Sequence, residues 1–183
     1  MFFCYHSFMS IGLKKGTVQI VPYDSNCVIE FNNEKNKLIK VFDTNIIAIE
    51  HIGSTSILDM SAKPIIDINL VIINLEDAKN FIVPLQELGY EYMTNRWFED
   101  RYFLPKGPNN FRTHHLNLVE QKRETAWLNP LIFRDYLINN SEAKQQYNDL
   151  KINLSKKYEN ERDKYTEGKN EFITEILKKA KNN

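Results

Sequence analysis

At 183 residues the chain is about one domain long, and its 24 basic and 24 acidic side chains cancel to a net charge of zero. That balance argues against holding nucleic acid through a broad basic surface, and a 42% hydrophobic share with 11 Phe, 9 Tyr and 2 Trp excludes general disorder. No run approaches the ~18 apolar residues that span a bilayer, and the two cysteines, Cys4 and Cys27, define neither a disulfide framework nor a zinc site, so a reducing, cytoplasmic setting with no membrane partner is expected.

Residues 1–12 are apolar but lack the positive start of a secretory leader. Met9 is a candidate initiator, and residues 1–16 are read as an N-terminal extension to a single domain over 17–183. Asparagine is over-used, at 21 residues, which reads as composition bias. Thr17 to Val21 is a short β-like run that stops at Pro22, and Cys27 to Phe42 carries a broken helical pattern. Ile46 to Ile52 alternates as a strand, and Gly53 to Lys63 is a loop. Pro64 opens a strong β run, Ile65 to Ile73, whose apolar majority on both faces marks a central strand. Strand side chains repeat every two residues, so Asp67 and Asn69 project from the same face.

Asn74 is placed as the cap of a helix over Leu75 to Leu88, which Pro84 should kink or divide and Gly89 ends. Tyr90 to Met93 and Arg101 to Leu104 read as strands around a turn, Pro105 to Asn110 as a loop, and Phe111 to Val119 as a further strand. Three helices are expected from Thr125 on, with Ser141 and Thr166 capping the second and third. Their core faces would carry Tyr147, Leu150, Leu154 and Tyr158, then Phe172, Ile173, Ile176 and Leu177. The expected architecture is α+β: a mixed β-sheet flanked by helices, with a C-terminal helical cluster packed on it.

The stretch that carries chemistry is Ile52 to Leu70. Gly53 lacks a Cβ and lets the backbone approach a phosphate closely. Ser54, Thr55 and the N–H groups after them form a cradle for phosphate oxygens. Asp67 on the following strand suits Mg²⁺, a hard cation that prefers oxygen. The bland readings are a plain turn at Gly53 to Thr55, a salt bridge from Asp67 to Lys63 or Arg112, and a satisfied polar side chain at Asn69. His114 and His115 alternate, so only one faces a cleft. His115 is then a base, a phosphate donor or a metal ligand. His51 is read as a structural hydrogen-bonding residue. Lys63 is either a solvated lysine or, by its place between the loop and Asp67, an anion contact, and Arg96, Arg101 and Arg112 are candidates to clamp an acidic group. Arg134 and Asp135, adjacent on a helix, should take different partners. Lys164, Tyr165 and Lys169 either reach the cleft from the last helices or form a solvated face, the reading taken here.

Several segments together resemble the GrpB family in order and spacing: IEHIGSTS at Ile49 to Ser56, AKPIIDI at Ala62 to Ile68, HHLNLV at His114 to Val119, FRDYL at Phe133 to Leu137, then Tyr147, Lys151 and KYTEGKNEFI at Lys164 to Ile173. The resemblance runs from about Val18 to Ala180. It implies the nucleotidyltransferase superfamily, with a fold like that of DNA polymerase beta and a domain also found fused to dephospho-CoA kinase. Active members move a nucleoside monophosphate from a nucleoside triphosphate to an acceptor with two metals and usually three carboxylates.

On that resemblance Gly53, Ser54, Thr55, Lys63 and Arg112 would hold the substrate phosphates. Asp67 and His115 would be catalytic, and Asp67, Asn69 and Asn117 would hold Mg²⁺. The departures are Asn69 at the second acid position, His115 and Asn117 in place of the third, and Asp59 where the loop usually has glycine. The implied function is Mg²⁺-dependent nucleotidyl transfer to an unidentified acceptor. The alternative is a catalytically degenerate module that binds a nucleotide or phosphorylated metabolite.

Overall fold

The computed structural model describes residues 11–93 and 98–182. The Met9 start and Arg96 lie outside the described residues. Twelve elements follow one another: β1 (Leu13–Lys14), α1 (Asn26–Phe42), β2 (Ala48–Ile52), β3 (Ile66–Ile72), α2 (Lys79–Glu87), β4 (Arg101–Lys106), β5 (Phe111–Arg112), β6 (His114–Glu120), α3 (Glu124–Asn139), α4 (Ser141–Lys157), α5 (Arg162–Glu167) and α6 (Asn170–Lys181).

Four strands form a mixed sheet in the order β2-β3-β6-β4. The central pair β3/β6 is parallel and both outer pairs are antiparallel. β3 divides its side chains by face, as its period of two requires. Ile66, Ile68, Leu70 and Ile72 enter the main core with Phe31, Leu38 and Phe42 of α1 and Phe81 and Leu85 of α2. Each of these strand residues is at most 1% exposed, and burying such a side chain stabilises by roughly 1.5–3 kcal/mol. Asp67, Asn69 and Val71 take the other face. There α3 covers Val71 and Val119 through Ala126. Farther along, Ile57 and Met60 join Leu137, Tyr147 and Ile176 in a second apolar cluster, which seats α3, α4 and α6 on the loop after Gly53.

The central strand and the C-terminal helical cluster take the expected places, and the broken helical pattern over Cys27 to Phe42 forms one continuous helix, α1. The differences have local causes. Thr17 to Val21 forms no strand; Val21 alone bridges to Ala62, since Pro22 has no N–H with which to extend a ladder. Residues 11–16, read as an extension, belong to the fold. β1 pairs antiparallel with β5, and Ile11 packs on the main core.

The helix after β3 divides before Lys79, where a 3-10 turn over Leu75–Ala78 leads into α2, while Pro84 sits inside α2 near its end and interrupts nothing. Tyr90 makes one bridge, to Lys106. The run from Phe111 is two strands separated at Thr113. The C-terminal region has four helices. Thr166 lies inside α5, where its hydroxyl donates to the Arg162 carbonyl at 2.9 Å, and Asn140 rather than Ser141 takes the cap position of α4. Among the described residues no helix is long and apolar enough to cross a membrane.

Candidate functional site

The register of the sheet assembles the site. Asp67 of β3 lies beside His115 of β6, and Asn69 beside Asn117. On the other flank Ile52 and Glu50 of β2 pair with the same two β3 residues. This polar row faces the C-terminal helices.

Asp67 Oδ1 and His115 Nδ1 are 3.0 Å apart, and His115 Nε2 lies 3.4 Å from an Arg162 guanidinium nitrogen. Guanidinium only donates, so Nε2 accepts and the ring proton sits on Nδ1, donated to Asp67. Burial pushes the His115 imidazole below its ordinary pKa, with Asp67 opposing and Arg162 and Lys63 assisting. Burial alone would raise Asp67, but the His115 bond and the charges of Lys63 and Lys169 hold it below the usual carboxylate value. The pair is therefore an ionised aspartate and a neutral histidine.

Gly53 precedes a 3-10 turn over Ser54–Ser56 and adopts φ 72°, ψ −175°. That region of backbone space belongs almost entirely to glycine. A Cβ there would stand 2.6 Å from Asp67 Oδ2, so the missing side chain is what allows the turn to close on the carboxylate. Ser56 Oγ donates to the Gly53 carbonyl at 2.6 Å. Ser54 opens on a cleft of about 500 Å³ lined also by Gly53, Asp67, Arg101, Asn117 and Tyr147. His115 lines a second cavity of about 600 Å³, shared with Phe103, Arg112 and Arg162. The Asp67–His115 pair thus stands between the two.

The remaining sequence-selected residues divide. Thr55 is buried; its hydroxyl donates to the Ile65 carbonyl at 3.3 Å and meets His51 Nε2 at 3.0 Å. His51, stacked on Phe31 with centroids 4.6 Å apart, holds the turn from beneath. Arg112 is buried and forks onto Glu91 at 2.8 and 2.7 Å, on the side of the second cavity. Asn69 is fully buried. Its Nδ2 donates to the Ala126 carbonyl at 2.8 Å, and its Oδ1 accepts from Asn117 Nδ2 at 3.2 Å. Lys63 places its amine 5.5 Å from the Tyr165 ring centre.

Other residues take places different from those read in the sequence, or roles the sequence did not assign. Tyr165 is buried rather than solvated, and the Lys169 amine lies 4.7 Å from the centre of its ring. Lys151 is almost fully buried, donates to the Ser61 carbonyl and lies over Tyr147. Burial lowers its pKa to about 7. Arg134 and Asp135 do pair, at 2.7 Å, because the long arginine folds back along the helix while its other end reaches Glu50 at 3.0 Å and the His51 carbonyl at 2.8 Å.

The donor set can be tested against the implied Mg²⁺. Both ends of Asn69 are engaged within the protein, and so are both ring nitrogens of His115. Asp67 Oδ2 and Asn117 Oδ1 are left for the cleft. Among the described residues no group of three or more acidic, histidine or cysteine side chains is arranged to hold a metal. One carboxylate oxygen and one amide oxygen do not fit a two-metal centre, which needs several charged oxygen ligands.

A mixed sheet with a Gly-Ser turn closing on a strand carboxylate, flanked by helices, defines a nucleotidyltransferase-like fold. The Cid1 poly(U) polymerase bound to MgGTP shares that fold, with a TM-score of 0.50 and 14% identity over 74% of this chain and 43% of that one. Residues 17–179 match the family described as "GrpB protein", and the chain belongs to the GrpB family. The glutamate-rich protein GrpB of Alkalihalophilus pseudofirmus is 34% identical, covering 91% of this chain and 98% of the relative. YqkA, a UPF0157 protein of Bacillus subtilis, is 36% identical over 91% of this chain, which spans about half (48%) of YqkA's own length. The crystal structure of the conserved protein GrpB from Enterococcus faecalis superposes with a TM-score of 0.81 at 33% identity, covering 88% of this chain and 96% of that one.

Proposed function

We propose that the cleft above Asp67 binds the phosphate chain of a nucleotide or a related phosphorylated metabolite. The observation that carries this reading is the closure of the Gly53–Ser54 turn on Asp67 at the mouth of a cleft of about 500 Å³, a size ordinary for a small-molecule site. The nucleotidyltransferase-like fold supports it. Ser54 and the backbone of the turn would meet phosphate oxygens. Arg101 and Asn117 would contact the ligand from the sheet, and Tyr147 offers an aromatic wall.

A second reading is nucleotidyl transfer to an acceptor. Asp67 Oδ2 and Asn117 Oδ1 favour it, since they could join the shell of one Mg²⁺ carried in by a triphosphate. Binding is the function the geometry supports better, because the donor set falls short of the metal centre that transfer employs. Calorimetric titration with ATP, GTP, CTP, UTP and coenzyme A, each with and without Mg²⁺, is the test. At least one ligand should bind, and Ser54→Trp, which fills the cleft, should abolish the heat. A folded wild type that binds none of the five refutes the reading.

A further inference from the structure

We propose that α4 sets the shape of the ligand site from behind: Asn148 and Lys151 are positioning residues that hold the loop from Gly53 to Ala62 so that its first turn stays closed on Asp67. The inference rests on the binding reading above and names what keeps that site in shape.

Lys144, Tyr147, Asn148 and Lys151 recur at i, i+3, i+4 and i+7, so they share one face of α4. The Lys144 amine donates to the Leu58 carbonyl at 3.3 Å. Asn148 Oδ1 accepts from the Ser61 N–H at 3.0 Å, and the Lys151 amine donates to the Ser61 carbonyl. Ser61 is thus held through both its N–H and its C=O. Tyr147 joins Ile57 and Met60 in the second apolar cluster and also lines the cleft, whereas Asn148 and Lys151 stand behind it. One helix face therefore grips the loop through apolar side chains and backbone polar groups together.

The loop needs that grip. Asp59 takes φ 60° without being glycine, a left-handed conformation that a side chain disfavours. It is exposed, so no packing offsets the cost. The α4 bonds fall on either side of it, at Leu58 and Ser61. Toward Gly53 the backbone is a series of turns. Ser56 N–H donates to the Gly53 carbonyl at 3.2 Å, Ile57 N–H to Ser54 at 3.3 Å and Met60 N–H to Ile57 at 3.3 Å, all at the long end of the hydrogen-bond range. A displacement at Ser61 is passed back through these turns to Ser54, the residue that opens on the cleft. Lys151 is 2% exposed, so its bond to Ser61 forms away from water, where a hydrogen bond is stronger.

The test separates positioning from bulk stability. Asn148→Leu removes the acceptor for Ser61 N–H, and Asn148→Asp keeps an oxygen in its place. Both are titrated calorimetrically with ATP, GTP, CTP, UTP and coenzyme A, with and without Mg²⁺, and amide exchange across residues 53–62 of the unliganded protein is followed by mass spectrometry. Asn148→Leu should weaken binding about tenfold and speed exchange in the loop by about as much, whereas Asn148→Asp should stay within about threefold of wild type in both. Lys151→Met should match Asn148→Leu; should it fail to fold, the two Asn148 variants carry the test. The control for lost stability is Phe81→Leu, in the main core on the opposite face of the sheet. It should lower the melting temperature and leave affinity and loop exchange as in wild type. Unchanged affinity in folded Asn148→Leu, or equal weakening in Phe81→Leu, overturns this inference and leaves the proposed function intact. Absence of binding to all five ligands by folded wild type overturns both.

Discussion

Gly53→Ala separates what the turn needs from what the ligand needs. At φ 72° and ψ −175° a residue with a side chain pays about 1–3 kcal/mol in backbone strain. Its Cβ would also lie 2.6 Å from Asp67 Oδ2 and 3.2 Å from Asp67 Cβ. Relieving that overlap moves either the turn or the carboxylate, at about 1–3 kcal/mol by analogy with overpacked cores. Together the change should cost about 4 kcal/mol, a large part of the ~5–15 kcal/mol that holds an ordinary domain. With a urea slope of about 2 kcal/mol/M, the unfolding midpoint falls by about 2 M. Repeating the substitution in Asp67→Ala removes the 2.6 Å contact but not the strain, so the cost there should fall by about 1–2 kcal/mol. Equal costs in the two backgrounds would show that Asp67 does not press on the turn. A midpoint unchanged from wild type would refute the strained conformation itself.

Three further outcomes follow from buried polar groups. Glu34 is buried in α1 and bonded to Lys106 at 2.5 Å and Lys37 at 3.0 Å; Lys106→Met should destabilise by about 3 kcal/mol in chemical denaturation, whereas Glu34→Leu/Lys106→Met together should come within about 1 kcal/mol of wild type. His51 and His114 are both pushed to a pKa of about 4, chiefly by burial. The unfolded chain therefore binds more protons between pH 4 and 6.5, and stability is lost as pH falls through that window, by about 2 kcal/mol per histidine at pH 5 relative to pH 8. Urea midpoints at the two pH values should show it, and His114→Gln should remove about half of the histidine contribution; an unchanged slope would sink the assignment. Asn69→Asp should lower the melting temperature far more than Asn117→Asp, because it sets a carboxylate against the Ala126 carbonyl that Asn69 now donates to at 2.8 Å, while Asn117 borders the open cleft.

The sequence exposed what depends on short-range pattern. β3 is visible as an apolar run with Asp67 and Asn69 two residues apart, and the register then needs only the second histidine strand to bring His115 beside Asp67. The boundary errors arose where pairing is long-range. β1 exists because β5, almost a hundred residues later, accepts it, and no local pattern at Leu13–Lys14 reports that. The Arg134–Asp135 pair escaped because adjacency on a helix fixes Cβ directions, not the reach of a long arginine side chain, whose Nε meets Asp135.

Asn69 shows most clearly why a motif position needs its surroundings. In sequence it occupies the place of an acid and invites a choice between weak metal ligand and compositional drift. In the structure its amide does what a carboxylate cannot: it donates to α3 through Ala126 and accepts from Asn117 at once. Both roles demand one N–H and one C=O on the same side chain. The amide at this position therefore has a physical reason of its own, tying β3, β6 and α3 together beneath the cleft.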